Sequence, residues 1–433
     1  MGVSPPSFYL RTRRADAQPL ATLIVLLCLV AMYFTNRRQF LSRSAFAFAG
    51  AAASSLLPWS VASRASASTW DEAQVDPAKA DLIYRTPAPR NGEPKLDKLV
   101  ENWITPTPQF YIRSHGANPA VVADEFKVSV DGMVEKSLVF SIQELVGKFP
   151  KSSCTCTVSC AGIRRYEFNK MKEVRGVAWQ EGPIGNAVWS GVRLSDVLKA
   201  AGVNAEAKHV WFEGADEVVD GKTTFPFGGS VPISKLSEED SSMPGVLLAT
   251  HMNGQPLLAD HGFPIRTIVP GYIGARSVKW LRKIVVSDKP SPNHFIADVY
   301  KMVYSGTPVE IDETAPIYRY PVNAALCSAE KQADKMHLKG YALPTGRKGC
   351  SISRVEISTD NGTSWTNATL GKEIGDFCWQ LWSVTLTIAN PSTVICVRAT
   401  DSQGNTMPET VPWNPKGYLY NAWHRVPASR LDI

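Results

Sequence analysis

The pattern of apolar residues changes near Pro308, and this change limits the folds that the chain can adopt. Between residues 96 and 305, segments that alternate as strands, such as 126–130, are mixed with segments that have the apolar spacing of a helix, such as 193–201. After residue 306 the chain repeats short strand-like segments and turns rich in Asp, Asn and Gly. We therefore predict an α+β domain over 96–305 and an all-β immunoglobulin-like sandwich over 306–433. The clearest strand-like segments of the second part span 336–343, 353–358, 379–388 and 394–399.

Composition and charge argue against a protein that binds nucleic acid. The chain has 433 residues, 44% of them hydrophobic, and a formal net charge of +6. Its first 67 residues contain seven Arg and one Asp, so the positive excess lies in this segment and the remainder is formally neutral. A neutral globular protein lacks the basic surface that neutralises nucleic-acid phosphates.

The first 67 residues have the ordered features of a twin-arginine export signal. The pair Arg37-Arg38 is followed by a mildly apolar stretch over 45–57, and Ala65-Ser66-Ala67 has the pattern of a cleavage site. We predict cleavage after Ala67 and a periplasmic protein that is exported in its folded state.

Two parts of the N-terminal region leave alternatives open. An apolar run over 20–34 precedes the Arg pair, which is unusual for such a signal, so a true start at Met32 or an upstream membrane anchor is a second interpretation. Residues 68–95 are polar, contain Pro and have no sustained period. They are predicted to be a linker or an extended arm.

Only three of the eight Cys lie close together in the sequence, namely Cys154, Cys156 and Cys160. Their spacing differs from the paired C-x-x-C motifs of zinc sites. Small residues and then Arg164 and Arg165 follow Cys160, and nearby guanidinium groups favour the thiolate form of a cysteine. The alternative is a buried structural cysteine beside a surface Arg pair. Cys154 and Cys156 are interpreted as bystanders, because C-x-C spacing is awkward for a redox pair.

The segment C-A-G-I-R-R at 160–165 resembles the C-A-G-N-R-R motif of eukaryotic sulfite oxidases and assimilatory nitrate reductases, with Ile163 in place of Asn. Similar segments continue, in the family's order, through nearly all of the chain that follows the predicted signal. The resemblance to the sulfite oxidase family implies a molybdopterin-binding domain over 96–305 and a dimerisation domain over 306–433. The similar segments lie at 104–106, 113–115, 189–194, 212–216, 253–257, 260–266, 279–281, 413–417 and 421–426.

The resemblance implies a molybdenum–molybdopterin cofactor and suggests roles for individual residues. Cys160 would be the protein's sulfur ligand to molybdenum, and a soft thiolate suits this role. Polar and cationic groups are needed around the rest of the cofactor because an anion is being buried. The positions that match the family's cofactor-binding segments are Tyr111, Ile112, Arg113, Ser114, His115, Asp216, His261, Arg266, Ser277, Val278 and Lys279.

The resemblance also implies oxidation of sulfite to sulfate, with the substrate anion bound by arginine side chains. A rigid guanidinium group suits a small oxyanion and stabilises its charge. Lys416 departs from the family pattern, because sulfite oxidases have Arg at this position, and an ammonium does not replace a bidentate guanidinium. Reduction of nitrate or of an S-oxide is therefore a second hypothesis. The predicted catalytic residues are Cys160, Arg113, Arg165, Tyr300, Lys416 and Trp179.

The partners follow from the same resemblance. The chain contains no C-x-x-C-H haem-attachment motif, so no haem is expected in it, and electrons would pass to a separate c-type cytochrome. A homodimer is implied by the dimerisation domain. A hypothesis of a different class is a cofactor-free binding module in which Cys160 is merely structural, and a metal assay discriminates between the two.

Overall fold

The computed structural model describes residues 79, 81–303, 315–332, 334–388 and 392–430. The predicted export signal, including Met32, lies outside the described residues, as do residues 68–78 of the predicted linker. Within the described ranges, no helix is both long enough and apolar enough to span a membrane.

Short helices and two five-stranded sheets form most of the first part of the chain. The strands are β1 (Ile83–Thr86), β2 (Asn91–Glu93), β3 (Ile112–Arg113), β4 (Lys127–Gly132), β5 (Leu138–Ser141), β6 (Lys151–Ser159), β7 (Ile184–Arg193), β8 (His209–Asp220), β9 (Thr223–Pro232), β10 (Leu247–Met252), β11 (Gln255–Pro256), β12 (Arg266–Ile268) and β13 (Leu281–Ser287). The α-helices are α1 (Leu96–Leu99), α2 (Ile142–Lys148), α3 (Arg165–Met171), α4 (Leu194–Ala201) and α5 (His294–Ala297).

The two sheets confirm the α+β prediction. One has the strand order β5-β4-β13-β8-β9, in which β4 and β13 run parallel, and the other has the order β11-β10-β7-β6 with β12 beside β10. Helix α4 forms where the sequence predicts it, because Leu194, Val197, Leu198 and Ala201 share one face and are buried together. The strand predicted at 126–130 is β4.

Strands β1 and β2 lie within the segment 68–95, which was predicted to be a linker or an extended arm, and they show how its described residues join a sheet. They pair antiparallel, and β2 also pairs with β3, so that Asn91 lies opposite Arg113. A strand of three residues shows no readable period, and its partner β3 comes from a later segment of the chain. Sequence patterns therefore could not show that this arm belongs to the sheet that contains Arg113.

Strand β6 leads directly to Cys160. It pairs antiparallel with β7 from Lys151 to Ser159. The backbone N–H of Cys160 then donates to the carbonyl oxygen of Pro183 at 2.9 Å. Hydrogen bonds thus hold the backbone both in the strand before Cys160 and at Cys160 itself.

The second part of the chain is a sandwich of two four-stranded sheets, which confirms the all-β prediction. The strands are β14 (Asn323–Gln332), β15 (Lys335–Leu343), β16 (Ile352–Ser358), β17 (Thr366–Asn367), β18 (Thr369–Leu370), β19 (Gln380–Leu386), β20 (Val394–Asp401) and β21 (His424–Pro427). The sheet orders are β14-β15-β19-β18 and β17-β16-β20-β21. Apolar side chains such as Leu338, Val355 and Ile395 are buried together in one hydrophobic cluster.

Arg164 joins the start of α3 to the sandwich. Its backbone is left-handed (φ 59°) and its side chain is fully buried. Nε donates to Glu167 Oε1 at 2.6 Å, and Nη1 donates to Asn323 Oδ1 at 3.0 Å. A buried guanidinium needs such partners, so this arginine has a structural role at the junction of the two parts.

Candidate active site

Eleven of the residues predicted from the sequence line a single cavity, which we call the inner cavity. They come from widely separated segments, so the fold and not sequence proximity brings them together. They are Tyr111, Arg113, Ser114, His115, Cys160, Asp216, His261, Arg266, Ser277, Lys279 and Tyr300.

Cys160 lies in the wall of the inner cavity and is only 6% exposed. The backbone N–H of Gly162 donates to its Sγ at 3.4 Å. The residue is thus placed to bind a soft metal ion that enters the cavity.

Two polar atoms in the cavity lining have no protein partner among the described residues, although both are buried. They are Asp216 Oδ1 and His261 Nε2. Burial, together with Lys79 and Arg266, lowers the pKa of His261 well below its usual value, so its imidazole is neutral. Buried polar atoms are costly when unpaired, and a polar molecule in the cavity would satisfy them.

The cavity also contains buried cations. Arg266 donates from Nη1 to the carbonyl of His261 and from Nη2 to that of Ser277, each at 3.0 Å. Lys279 Nζ donates to Ser114 Oγ at 2.7 Å and to the carbonyl of Asp260 at 3.0 Å. Because these cations are bound to neutral acceptors, their charges are available to an anionic group. The residues therefore fit molybdopterin, which has a phosphate and a polar ring system.

The Lys279 ammonium predicts an unusual dependence of stability on pH. Burial lowers the pKa of Lys279 from 10.5 to about 7. Between about pH 7 and 10.5 the folded state then binds fewer protons than the unfolded state, so the free energy of unfolding rises with pH in this range. Below about pH 7 the folded state carries the full free-energy cost of burying the charged ammonium. In cofactor-free protein we expect Lys279→Met to be more stable than wild type near pH 6 by a few kcal/mol, with the difference shrinking towards pH 10.

Urea unfolding of both proteins across this pH range measures the effect. A difference that does not change with pH would contradict the buried ammonium. The cofactor-loaded proteins are the control, because a bound anion stabilises Lys279 and there the variant should be the less stable one.

A second pocket, which we call the outer pocket, shares Arg113, His115 and Tyr300 with the inner cavity. Its other charged residues are Arg165, Arg175, Lys416 and Glu173. Three guanidinium groups and an ammonium against one carboxylate give the pocket a positive potential. It is therefore suited to bind an anion next to the inner cavity.

Two of these arginines keep part of their hydrogen-bonding capacity free. Arg165 donates from Nε to the carbonyl of Gly417 at 3.0 Å and from Nη1 to that of Val177 at 3.1 Å. Arg113 donates from Nη1 to Asn91 Oδ1 at 3.1 Å and to the carbonyl of Ser114. Among the described residues, no acceptor binds Nη2 of either arginine. These donors remain available to a small oxyanion.

Glycines leave the space that the Arg165 side chain occupies. A Cβ atom at Gly162, Gly176 or Gly417 would lie 2.7–2.8 Å from atoms of Arg165. Atoms at this separation would overlap, so the observed position of the Arg165 side chain requires that these three residues have no Cβ atom.

Tyr300 and His115 form a neutral pair where the inner cavity and the outer pocket meet. The Tyr300 hydroxyl and His115 Nε2 share a hydrogen bond of 2.9 Å, and the Tyr300 ring stacks on Tyr418 at 5.0 Å. Burial raises the pKa of Tyr300, and burial beside Arg113 and Lys279 lowers the pKa of His115 well below its usual value. The pair therefore offers hydrogen bonds near a bound anion without adding negative charge.

Three predicted residues line neither the inner cavity nor the outer pocket. Ile112 and Val278 are fully buried, and the Val278 N–H donates to Thr267 Oγ1 at 2.7 Å, so both support their neighbours. Trp179, predicted to line the substrate pocket, has no exposed surface and lies in the same hydrophobic cluster as Cys160. The start of α3 restrains it, because Tyr166 N–H donates to the Trp179 carbonyl at 3.0 Å.

The structure also adds residues that sequence reasoning missed. Phe110 and Asp260 line the inner cavity, while Arg175 and Tyr418 line the outer pocket. Asp260 precedes His261 in the segment 260–266, which resembles the family, so its position in the sequence is a usable signal. No sequence pattern marks Arg175, which reaches the pocket only through the fold.

Two family models match the chain. The oxidoreductase molybdopterin binding domain matches residues 115–295. The Mo-co oxidoreductase dimerisation domain matches residues 313–430.

Proteins of known name are similar over most of the chain. Mitochondrial sulfite oxidase of Drosophila melanogaster is 38% identical over 362 residues, which are 78% of this chain and 61% of that protein. Sulfite oxidase of Arabidopsis thaliana is 35% identical over 381 residues, 82% of this chain and 95% of that protein. The chain thus spans less than two thirds of the insect protein and nearly all of the plant protein.

The sulfane dehydrogenase SoxCD from Paracoccus pantotrophus provides a structural comparison. It matches with a TM-score of 0.65 at 23% identity, covering 78% of this chain and 84% of that chain. At this identity the match supports the fold.

Proposed function

This chain belongs to the sulfite oxidase family of molybdenum–molybdopterin enzymes, and on this premise we propose that it oxidises sulfite to sulfate. The observation that carries the proposal is the pair of arginines, Arg113 and Arg165, which both line one positive pocket and each have an Nη2 donor with no acceptor among the described residues. That pocket shares Arg113, His115 and Tyr300 with the inner cavity, where Cys160 lies. An anion bound there would be next to the cofactor.

The inner cavity would hold the cofactor through residues of matching chemistry. Cys160 would ligate the metal through its thiolate, and the unpaired polar atoms of Asp216 and His261 would bind the pterin. Arg266 and Lys279 would offset the negative charge of the phosphate. When bound, the cofactor supplies oxygen-atom transfer and the exchange of two electrons.

The outer pocket would bind and orient the substrate. Arg165 is held by two backbone carbonyls, so its free donor has a fixed direction and little side-chain entropy is lost on binding. Arg113 and Lys416 add positive charge that stabilises the oxyanion throughout the reaction. The neutral Tyr300–His115 pair completes the pocket without repelling the anion.

The direct test is sulfite-dependent reduction of ferricyanide or cytochrome c by protein with its molybdenum content determined. Turnover with one molybdenum per chain supports the proposal. Stoichiometric metal without sulfite turnover would refute it and favour reduction of nitrate or an S-oxide, the alternative that Lys416 suggests. Absence of metal from protein made under molybdenum-replete conditions would support the cofactor-free binding module.

Lys416 provides a prediction about substrate affinity. Its Nζ has no hydrogen-bond or ion-pair partner among the residues that the structure describes, and it lines the outer pocket. Lys416→Arg adds a bidentate donor, so we expect kcat to be kept and the sulfite KM to stay equal or fall by about 3- to 10-fold. Lys416→Met is the paired variant and should raise KM. Steady-state kinetics measures both, and loss of sulfite oxidation in Lys416→Arg would indicate a different native substrate.

We also propose that the enzyme is exported folded by the twin-arginine route to the periplasm and transfers electrons to a separate c-type cytochrome. The ordered signal features of the first 67 residues support export. The matched dimerisation domain supports a homodimer. Cell fractionation with and without Arg37→Lys/Arg38→Lys tests export, and the oligomeric state follows from light scattering.

A further inference from the structure

The arm formed by β1, β2 and the residues between them contacts two residues that line the inner cavity, Asp260 and Arg113. Arg90 Nη2 forms an ion pair with Asp260 Oδ1 at 2.8 Å, and Asp260 lines the inner cavity. The next residue, Asn91, is 1% exposed and lies opposite Arg113 in the β2–β3 pair. The arm is therefore part of the site's framework.

Asn91 binds Arg113 through its side-chain oxygen. Oδ1 accepts from Arg113 Nη1 at 3.1 Å and from the backbone N–H of Ser114 at 3.0 Å. The other acceptor of Nη1 is the carbonyl of Ser114, the residue next to Arg113. Among the described residues, Asn91 is thus the one side chain that accepts a hydrogen bond from this guanidinium.

The orientation of the Asn91 amide is fixed by its other end. Nδ2 donates to Thr86 Oγ1 at 2.8 Å and to the carbonyl of Pro89 at 2.9 Å. The reverse orientation would place NH₂ against the N–H groups of Arg113 and Ser114 and the amide oxygen against the carbonyl of Pro89, so three of the four contacts would become unfavourable. The oxygen therefore has to face Arg113.

A neutral acceptor at this place has a consequence for anion binding. A carboxylate would also hold the guanidinium but would cancel its charge and repel an oxyanion substrate. An amide oxygen restrains the guanidinium at Nη1, does not neutralise its delocalised positive charge, and leaves the N–H donors of Nε and Nη2 unbonded. Asn91 therefore fixes the orientation of the Arg113 guanidinium without neutralising its charge.

We propose that Asn91 is a positioning residue for substrate binding, which acts through Arg113 by holding its guanidinium in the orientation that binds the anion. This inference rests on the proposed function, because it takes the outer pocket to be the site of a sulfur oxyanion. Asn91 itself lines neither cavity, so it does not touch the substrate.

The test is a double-mutant cycle in the molybdenum-loaded enzyme with Asn91→Ala, Arg113→Met and the double variant. Sulfite KM and kcat are measured, together with the dissociation constant of sulfate by calorimetry. We expect Asn91→Ala to raise KM and weaken sulfate binding by about 10-fold, with kcat within about 2-fold of wild type. In the Arg113→Met background the same change should have almost no further effect on anion binding.

Arg85→Met is the matched control on the same arm. It removes the ion pair between Arg85 Nε and Glu93 Oε1, without a contact to Arg113. We expect it to lower thermal stability while sulfite KM and sulfate affinity remain those of wild type. A merely structural role for Asn91 predicts that both arm variants behave alike.

Two outcomes would overturn the inference: unchanged anion affinity in Asn91→Ala, or an equal loss on top of Arg113→Met. These are distinct from failure of the proposed function. A wild-type enzyme that binds sulfate but does not oxidise sulfite would refute the function, and the sulfate cycle would still decide the role of Asn91.

Discussion

Replacing Cys160 with serine is expected to abolish sulfite turnover, with a loss of more than about 1000-fold in kcat. A serine hydroxyl is a hard ligand that stays protonated at neutral pH, so it cannot replace a soft thiolate on molybdenum. Cys160 is buried at the end of β6, and serine is of similar size, so the fold should be retained. Kinetics, metal analysis and thermal unfolding of the same preparation measure the three effects.

Cys154→Ser is the matched control for this substitution. Cys154 is a buried cysteine on β6, the strand that leads to Cys160, but it lines neither the inner cavity nor the outer pocket. We expect it to retain the activity of wild type, with at most a modest loss of stability. Full activity in Cys160→Ser, or equal loss in both variants, would mean that the metal ligand has been misassigned.

The second large effect is expected for Arg165→Gln, which should raise the sulfite KM by about 30-fold or more. The substitution removes the positive charge and the free Nη2 donor of the outer pocket. It also removes the hydrogen bonds to the carbonyls of Gly417 and Val177. Because high substrate concentration should restore much of the rate, kcat should fall less than kcat/KM.

Lys170→Gln serves as the control for loss of one positive charge on the same helix. Lys170 is exposed on α3 and lines neither cavity, so its removal should leave KM unchanged at moderate ionic strength. A normal KM in Arg165→Gln would show that the substrate binds elsewhere. Equal effects in both variants would mean that only long-range charge is involved.

The two arginines of the C-A-G-I-R-R segment show what sequence patterns leave undecided. As neighbours in the chain, Arg164 and Arg165 have the same charge and the same proximity to Cys160. In the structure Arg164 is fully buried and binds Glu167 and Asn323, whereas Arg165 lines the outer pocket. Resemblance to the family had selected Arg165, but patterning and charge alone treat the two alike.

Trp179 and the arm are placed by the fold in ways that the sequence did not predict. An aromatic residue expected in the pocket is buried in the core, because backbone hydrogen bonds restrain its segment against α3. The segment predicted to be a linker or an extended arm places Asn91 against the guanidinium of Arg113, a contact that the sequence did not predict. Both outcomes depend on contacts between distant segments, and short segments with no period give no warning of them.

The sequence by itself determined the local structure and the chemistry that the chain carries. Periods of two and of 3.6 residues set the strands and the helix α4, since they decide which side chains one face can bury. The order of the motifs identified Cys160 and most of the residues of the inner cavity. Tertiary structure alone decided that Arg165 fits among three glycines, that Tyr300 pairs with His115, and that an N-terminal arm orients Arg113. Arg165 and Gly417, and Tyr300 and His115, are far apart in the chain, so these contacts arise only when the chain folds, and no local pattern contains them.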